Sequence, residues 1–160
     1  MAPGPAPTPQ TGEQPMSEPG PPPVGIVVVS HSAEVAEATV RLVSHLANLG
    51  PDGPRLVAAG GMDDGSLGTD AVRIADAVAM ADAGAGVVIL GDLGSAILAA
   101  STAIDELLPP ELAARVAISA GPLVEGTFVA AVQASAGDGL EGVRVAADEA
   151  TGMDKLGDRR

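Results

Sequence analysis

The sequence is poor in the residues that form crosslinks and aromatic packing. It has no cysteine, tryptophan or tyrosine, and Phe128 is its single aromatic residue. The lack of cysteine excludes a disulfide framework and thiolate metal ligands, and it favours a reducing cytoplasm. The hydrophobic core must therefore be built from Ala, Val, Leu and Ile side chains.

Positive charge is also scarce. Eight Lys and Arg residues stand against 21 Asp and Glu residues, giving a formal net charge of −13. Phosphate-rich partners require a basic surface, so the sequence argues against nucleic acid and anionic membranes and favours a basic protein partner. No apolar run approaches the roughly 20 residues of a membrane helix. We expect a soluble, cytoplasmic protein.

Composition divides the chain into three parts. Residues 1–23 include nine prolines and almost no large apolar side chains, which predicts a disordered arm, and they lack the features of a signal peptide. Residues 24–150 form the predicted folded domain. Residues 151–160 are predicted to be a flexible C-terminal tail.

Within the domain, short apolar runs alternate with helical patterns. This order predicts an α/β fold, with a doubly wound, mainly parallel sheet of about four strands and helices on both faces. The predicted strands are 25–29, 55–59, 86–90 and 116–119. The predicted helices run from 33 to 49, from Thr69 as N-cap to 83, from about 95 to 108, from about 121 onward and from 140 to 150.

His31 directly follows the first strand and precedes a helix for which Ser32 is the predicted N-cap. A helix N-terminus favours an anion beside the ring. Position alone leaves a functional and a structural role equally open. The only other histidine, His45, lies in the middle of the same helix, where we expect it to be a solvated surface residue.

Asp92 follows a second buried strand. It is either a turn former or a partner of His31, because the carboxyl ends of parallel strands meet at one edge of the sheet. A carboxylate there would accept a hydrogen bond from Nδ1–H of the imidazole and leave Nε2 as the nucleophile.

Several glycines lie in the loops that leave these strands. Singly they are turn residues, but together Gly60, Gly61, Gly91 and Gly94 are predicted to expose backbone N–H groups around the histidine, which suits a phosphoryl group. Neither the usual nucleotide loop nor the dinucleotide fingerprint is present.

The sequence gives weaker support to two other kinds of site, a metal site and a hydrolase triad. Asp63, Asp64 and Asp70 weakly resemble a divalent-cation loop, but a polar turn explains them better, so we expect no metal site. A hydrolase triad of Ser30, His31 and Asp92 is set aside, because adjacent Ser and His cannot easily pair and no nucleophile elbow is present.

Four stretches carry a resemblance in order and spacing: VGIVVVSHS (24–32), AGGMDDGSLGT (59–69), GVVILGDLGSA (86–96) and AGPLVEG (120–126). They resemble the phosphoryl-donor subunits of phosphoenolpyruvate-dependent dihydroxyacetone kinase. These subunits are relatives of the mannose-type enzyme IIA domains of the bacterial phosphotransferase system. The resemblance spans about residues 24–140.

The resemblance implies a phosphoryl relay. The carrier protein HPr would phosphorylate His31, which would pass the group to ADP on the DhaL subunit, and the resulting ATP would phosphorylate dihydroxyacetone on DhaK. Asp92 would orient the histidine, and Gly94, Ser95 and Thr69 would bind the phosphoryl group. The chain itself would hold no cofactor, because the nucleotide belongs to DhaL, and it would form a homodimer.

Alternatives remain open from the sequence. The chain could be a mannose-type IIA domain that feeds a sugar permease, or a regulatory module that is phosphorylated and passes nothing on. Some family members continue into fused HPr-like and enzyme I-like domains. Because this sequence stops at Arg160, we expect separate proteins to supply the phosphoryl group.

Overall fold

The fold was analysed in a computed structural model, which describes residues 1, 2, 4 and 19–157. Most of the predicted proline-rich arm, 1–23, and the last three residues of the predicted tail lie outside the described residues. The boundaries of the arm and the tail therefore stay predictions.

Four parallel strands form a single sheet in the order β2-β1-β3-β4. This architecture confirms the predicted α/β fold class. β1 lies at the centre, and all six of its residues are buried, as its continuous aliphatic run predicts for a strand covered on both faces. The strands are β1 (Gly25–Ser30), β2 (Leu56–Gly60), β3 (Val87–Gly91) and β4 (Val116–Ser119).

Helices cover both faces of the sheet. The α-helices are α1 (Ala33–Leu46), α2 (Ala71–Ala81), α3 (Gly94–Thr102), α4 (Pro110–Ala113), α5 (Leu123–Ser135) and α6 (Leu140–Glu149). Alternate β1 side chains point to opposite faces: Val27 and Val29 pack with α2 and α3, whereas Ile26 packs with α1, α5 and α6. None of the helices in the described part of the chain is long and apolar enough to cross a membrane.

The start of α2 differs from the prediction. The helix begins at Ala71, and its N-cap is Asp70, whose carboxylate accepts hydrogen bonds from the N–H groups of Val72 (2.8 Å) and Arg73 (3.4 Å). The prediction of Thr69 as N-cap is therefore wrong. Asp and Thr are both good N-caps, and the sequence offered them at adjacent positions.

The third predicted helix is also more complex than its pattern suggested. It is α-helical over α3 and continues as a π-helical turn, Ala103–Leu107, in which the Leu108 N–H donates to the Ala103 carbonyl. The short helix α4, with proline as its first residue, follows and was not predicted.

The strand order places a crevice between β1 and β3. The connection from β1 leads to β2 on one side, and the following connection brings the chain to β3 on the other side. The loops that leave the carboxyl ends of β1 and β3 therefore diverge, and ligands of such sheets bind at this point. His31 and Asp92 are the first residues after these two strands.

The first part of the predicted tail contacts the domain. Ala150–Gly152 forms a 3₁₀ turn that packs against α5 and α6. Farther along, the Lys155 ammonium pairs with the Glu125 carboxylate in the first turn of α5. The described tail residues therefore return towards the carboxyl edge of the sheet.

Candidate active site at the carboxyl ends of β1 and β3

The backbone around His31 is fixed on both sides. After it, the Ser32 hydroxyl caps α1 by accepting from the Val35 N–H (3.3 Å), as the sequence predicted. From the loop after β2, the Gly68 N–H donates to the His31 carbonyl (2.9 Å). The imidazole is 28% exposed, so it is held by the fold yet open to a partner.

The Asp92 carboxylate joins the two strand ends. Its Oδ1 accepts from the His31 ring Nδ1 (2.9 Å) and the Leu93 N–H (2.7 Å). Its Oδ2 accepts from the Ser30 hydroxyl (2.9 Å) and the His31 backbone N–H (2.9 Å). The two carboxylate oxygens thus accept four hydrogen bonds, two of them from the same histidine.

These contacts set the charge of Asp92. Burial by itself raises the pKa of this carboxyl group, but the hydrogen bonds from the His31 N–H, the Ser30 hydroxyl and the His31 ring outweigh it. The net result is a pKa below the ordinary aspartate value. Asp92 is therefore a carboxylate at neutral pH, and Nδ1 is the protonated ring nitrogen that donates to it.

The other ring nitrogen faces α3. With the proton on Nδ1, Nε2 carries a lone pair and accepts from the Ser95 hydroxyl at 2.6 Å. Gly94 and Ser95 open α3, and among the described residues their N–H groups have no backbone acceptor. The positive end of this helix dipole lies beside Nε2, as a site for a phosphoryl group requires.

Gly60, the last residue of β2, and Gly61, the residue after it, have a different role from the predicted one. The Gly61 N–H is occupied, because it donates to the Ser30 carbonyl (3.2 Å). At position 60, a Cβ would lie 2.5 Å from the Ser32 carbonyl oxygen, so only glycine permits this close approach. The expectation that both expose N–H groups is therefore wrong for Gly61, and Gly60 serves to bring β2 against the histidine loop.

In the described part of the chain, the remaining sequence candidates form no hydrogen bond with the His31 ring or with Asp92. Thr69 follows Gly68, whose N–H donates to the His31 carbonyl, and its part in binding the phosphoryl group stays a prediction. His45 is exposed on α1, as expected. In the acidic loop, Asp63 pairs with Arg73, and Asp64 accepts from the Ser66 N–H and hydroxyl.

Sequence reasoning considered Ser30 only as a hydrolase nucleophile and missed its contact with Asp92. It is 1% exposed, and its hydroxyl donates to Asp92 rather than to the imidazole. This geometry excludes the hydrolase triad, because the serine oxygen is buried behind the carboxylate. The available signal was a single polar residue at the end of an otherwise aliphatic strand.

Together these features define a class of protein. A parallel α/β domain presents a carboxylate-held imidazole at its switch point, with Nε2 beside a helix N-terminus, and this is the arrangement of a phosphohistidine carrier domain. The sequence model of the EIIA-man family, described as the "PTS system fructose IIA component", matches residues 25–144. The chain belongs to this family.

Curated relatives support the finer resemblance. The chain is 44% identical over 110 residues to the PEP-dependent dihydroxyacetone kinase phosphoryl donor subunit DhaM of Escherichia coli, covering 67% of this chain and 22% of that protein. It is 41% identical over 108 residues to a DhaM of Listeria innocua, covering 68% of this chain and 83% of the relative. The predicted resemblance to this family is thus confirmed, although the chain spans only about a fifth of the Escherichia coli protein.

A solved structure has the same fold. The crystal structure of EF1359, a protein of unknown function, superposes with a TM-score of 0.68 at 30% identity, covering 79% of this chain and 94% of that one.

Proposed function

We propose that this chain is a phosphoryl donor subunit of a phosphoenolpyruvate-dependent dihydroxyacetone kinase. Nε2 of His31 accepts a phosphoryl group from HPr and passes it to ADP on DhaL, and the ATP formed phosphorylates dihydroxyacetone on DhaK. The observation that carries the proposal is the 2.9 Å contact between His31 Nδ1 and Asp92, which makes Nε2 the nucleophile. The names of the curated relatives support the kinase and its substrate, dihydroxyacetone. HPr, DhaL and DhaK are the partners that the family resemblance implies.

The first transfer is a nucleophilic displacement at phosphorus. The Nε2 lone pair forms the new N–P bond while the N–P bond of the phosphorylated donor breaks, and that electron pair returns to the donor's ring. The proton on Nδ1 stays in place, so the phosphorylated ring is an imidazolium. The Asp92 carboxylate stabilises this positive charge and fixes the ring plane for attack.

Nε2 of His31 can attack phosphorus only after the Ser95 hydroxyl has moved away from it. The Ser95 oxygen lies 2.6 Å from Nε2, in the place that the phosphorus must occupy. Rotation of this side chain clears the nucleophile and lets the hydroxyl donate to a phosphoryl oxygen, alongside the N–H groups of Gly94 and Ser95. In the described part of the chain, no Lys or Arg forms an ion pair or a side-chain hydrogen bond with His31 or Asp92, which suits a group that must leave again.

The partners proposed are proteins. The charge of −13 favours basic partner surfaces over other acidic ones.

We also propose a homodimer, which the uncharged sequence of α3 and its 70% exposed Leu98 support. Light scattering tests this point, and a monomeric mass at micromolar concentration would contradict it. A cytoplasmic location follows from the proposed exchange with HPr and DhaL.

Reconstituted transfer tests the proposal. Labelled phosphoenolpyruvate, enzyme I and HPr are added to the protein, followed by DhaL·ADP and DhaK with dihydroxyacetone. We expect His31→Ala to accept no label, whereas the matched control His45→Ala, which changes the chain's only other histidine, accepts and transfers it. Dihydroxyacetone phosphate formed through His31→Ala would contradict the proposal.

A second function is favoured by the description of the family as a fructose IIA component. In that case the phosphorylated protein discharges to an enzyme IIB domain of a sugar permease and retains its label with DhaL·ADP. Retention of the label with both acceptors would instead indicate a regulatory module.

A further inference from the structure

The last residue of β1 makes a compact set of hydrogen bonds. The Ser30 hydroxyl donates to Asp92 Oδ2 (2.9 Å) and accepts from the Ser32 N–H (3.1 Å), while the intervening His31 N–H donates to the same Oδ2 (2.9 Å). The serine thus closes the turn that carries His31 and supports the carboxylate from behind. We call this arrangement the serine–carboxylate clamp.

The same clamp occurs a second time, at the end of β4. The Ser119 hydroxyl donates to Asp148 Oδ1 (2.6 Å) and accepts from the Gly121 N–H (3.0 Å), while the intervening Ala120 N–H donates to that Oδ1 (2.8 Å). Ser30 and Ser119 are each 1% exposed. The two clamps match atom for atom along the backbone.

The clamps differ in what the second carboxylate oxygen holds. In the β4 clamp, the other oxygen of Asp148 accepts from the Arg144 guanidinium, and Ala120 occupies the middle position. In the β1 clamp, the other oxygen of Asp92 accepts from the imidazole of His31. The serine–carboxylate clamp therefore stabilises the backbone at the end of β4, and at the end of β1 it also orients the imidazole of His31.

From this comparison we propose that Ser30 is a positioning residue for phosphoryl transfer. By holding Oδ2, its hydroxyl fixes the rotation of the Asp92 carboxylate, so that Oδ1 stays in line with Nδ1–H of His31. Ser30 touches neither the phosphoryl group nor Nε2 and acts entirely through Asp92. The inference rests on the proposed transfer through His31, and it assigns a role to Ser30, which the proposed function does not use.

The β4 clamp provides the matched control. Ser30→Ala and Ser119→Ala remove the same hydroxyl from the same local geometry, so they carry the same local cost to the fold. We expect Ser30→Ala to lower the maximal rate of phosphoryl acceptance about ten-fold with an unchanged KM for phosphorylated HPr, because one charge-assisted hydrogen bond is lost. Ser119→Ala should keep the wild-type rate while losing a similar amount of thermal stability.

Nuclear magnetic resonance distinguishes a loss of His31 orientation from a general loss of stability. In wild-type protein and in Ser119→Ala, the His31 Nδ1–H proton should give one sharp nuclear magnetic resonance signal. In Ser30→Ala that signal should shift and broaden as the carboxylate gains rotational freedom. Ser30→Cys, which keeps the size but donates weakly, should behave like the alanine variant and covers the case in which the alanine variant folds poorly.

Either of two results would overturn the inference. One is a folded Ser30→Ala or Ser30→Cys protein with the wild-type rate and an unchanged His31 signal. The other is an equal loss of rate in Ser30→Ala and Ser119→Ala, which would show a purely structural effect. Failure of the proposed function itself looks different, because the wild-type protein would then accept no label or would retain it in the presence of DhaL·ADP.

Discussion

Replacement of Asp92 by asparagine is the sharpest perturbation of the site, because it keeps the shape and removes the charge. The carboxylate accepts two hydrogen bonds on each oxygen, and on each oxygen one of the two donors is a backbone N–H group, which cannot become an acceptor. Asparagine replaces one of these oxygens with an NH₂ group. In either orientation of the amide, its NH₂ group therefore faces two groups that donated hydrogen bonds to the carboxylate oxygen it replaces.

The two orientations have different consequences. An NH₂ group at the Oδ1 position forces His31 into the tautomer with its proton on Nε2, and that nitrogen is no longer a nucleophile. At the Oδ2 position it meets the Ser30 hydroxyl, which can turn to accept, and the His31 N–H, which cannot. A hydrogen bond to a charged group contributes about 1.5–3 kcal/mol, equivalent to about 10- to 100-fold in rate. Loss of the carboxylate charge beside the imidazolium adds to this, so we expect a fall of about 100-fold or more.

Rapid quenching measures this rate directly. Radiolabelled phospho-HPr is mixed with wild-type or Asp92→Asn protein, and the label on the chain is followed with time. Circular dichroism and thermal unfolding show whether the variant keeps its fold. A folded Asp92→Asn protein that accepts the phosphoryl group at the wild-type rate would refute the assignment of Asp92 as the residue that orients His31.

Three further predictions concern the surroundings of this pair. Gly60→Ala should lower the free energy of unfolding by about 1–3 kcal/mol, as measured by denaturant titration, because the added Cβ would lie 2.5 Å from the carbonyl oxygen of Ser32, the N-cap of α1. Gly152→Ala is the control, because the Cβ added there has no neighbour within 4 Å. The lowered pKa of Asp92 stabilises the fold above the unfolded-state pKa of about 3.9, and this stability is lost as the pH falls through the lower folded-state pKa. Unfolding free energies measured between pH 7 and pH 3 should therefore fall more steeply for wild type than for Asp92→Asn, and parallel curves would contradict the linkage. Ser95→Ala should leave thermal stability unchanged and reduce the phosphorylated fraction at equilibrium with HPr about ten-fold, since a hydrogen-bond donor to the phosphoryl group is lost; an unchanged fraction would remove Ser95 from the phosphoryl site.

The main features of the fold could be predicted because they depend on local patterns. Buried aliphatic runs and helical periodicity gave all four strands and the main helices, and alternation implied a parallel sheet. The shared sheet edge made Asp92 a candidate partner of His31, and the family resemblance favoured that role over a turn former. Their 2.9 Å contact spans 61 residues of sequence.

Other features depend on contacts that local patterns do not contain. The Ser30 hydroxyl has its partner 62 residues away, and nothing beside it in sequence indicates a carboxylate. The choice of Asp70 over Thr69 as N-cap depends on the backbone path into α2. The Gly61 N–H is consumed by the carbonyl of Ser30, which only the packing of the β2 loop against β1 reveals.

Phosphorus nuclear magnetic resonance of the phosphorylated protein, combined with mass spectrometry of its peptides, tests the central claim most directly. We predict a single, acid-labile phosphohistidine at His31, with phosphorus bonded to Nε2, because Nδ1 carries the proton donated to Asp92. Phosphorus on Nδ1 of His31, on His45 or on a carboxylate would contradict it.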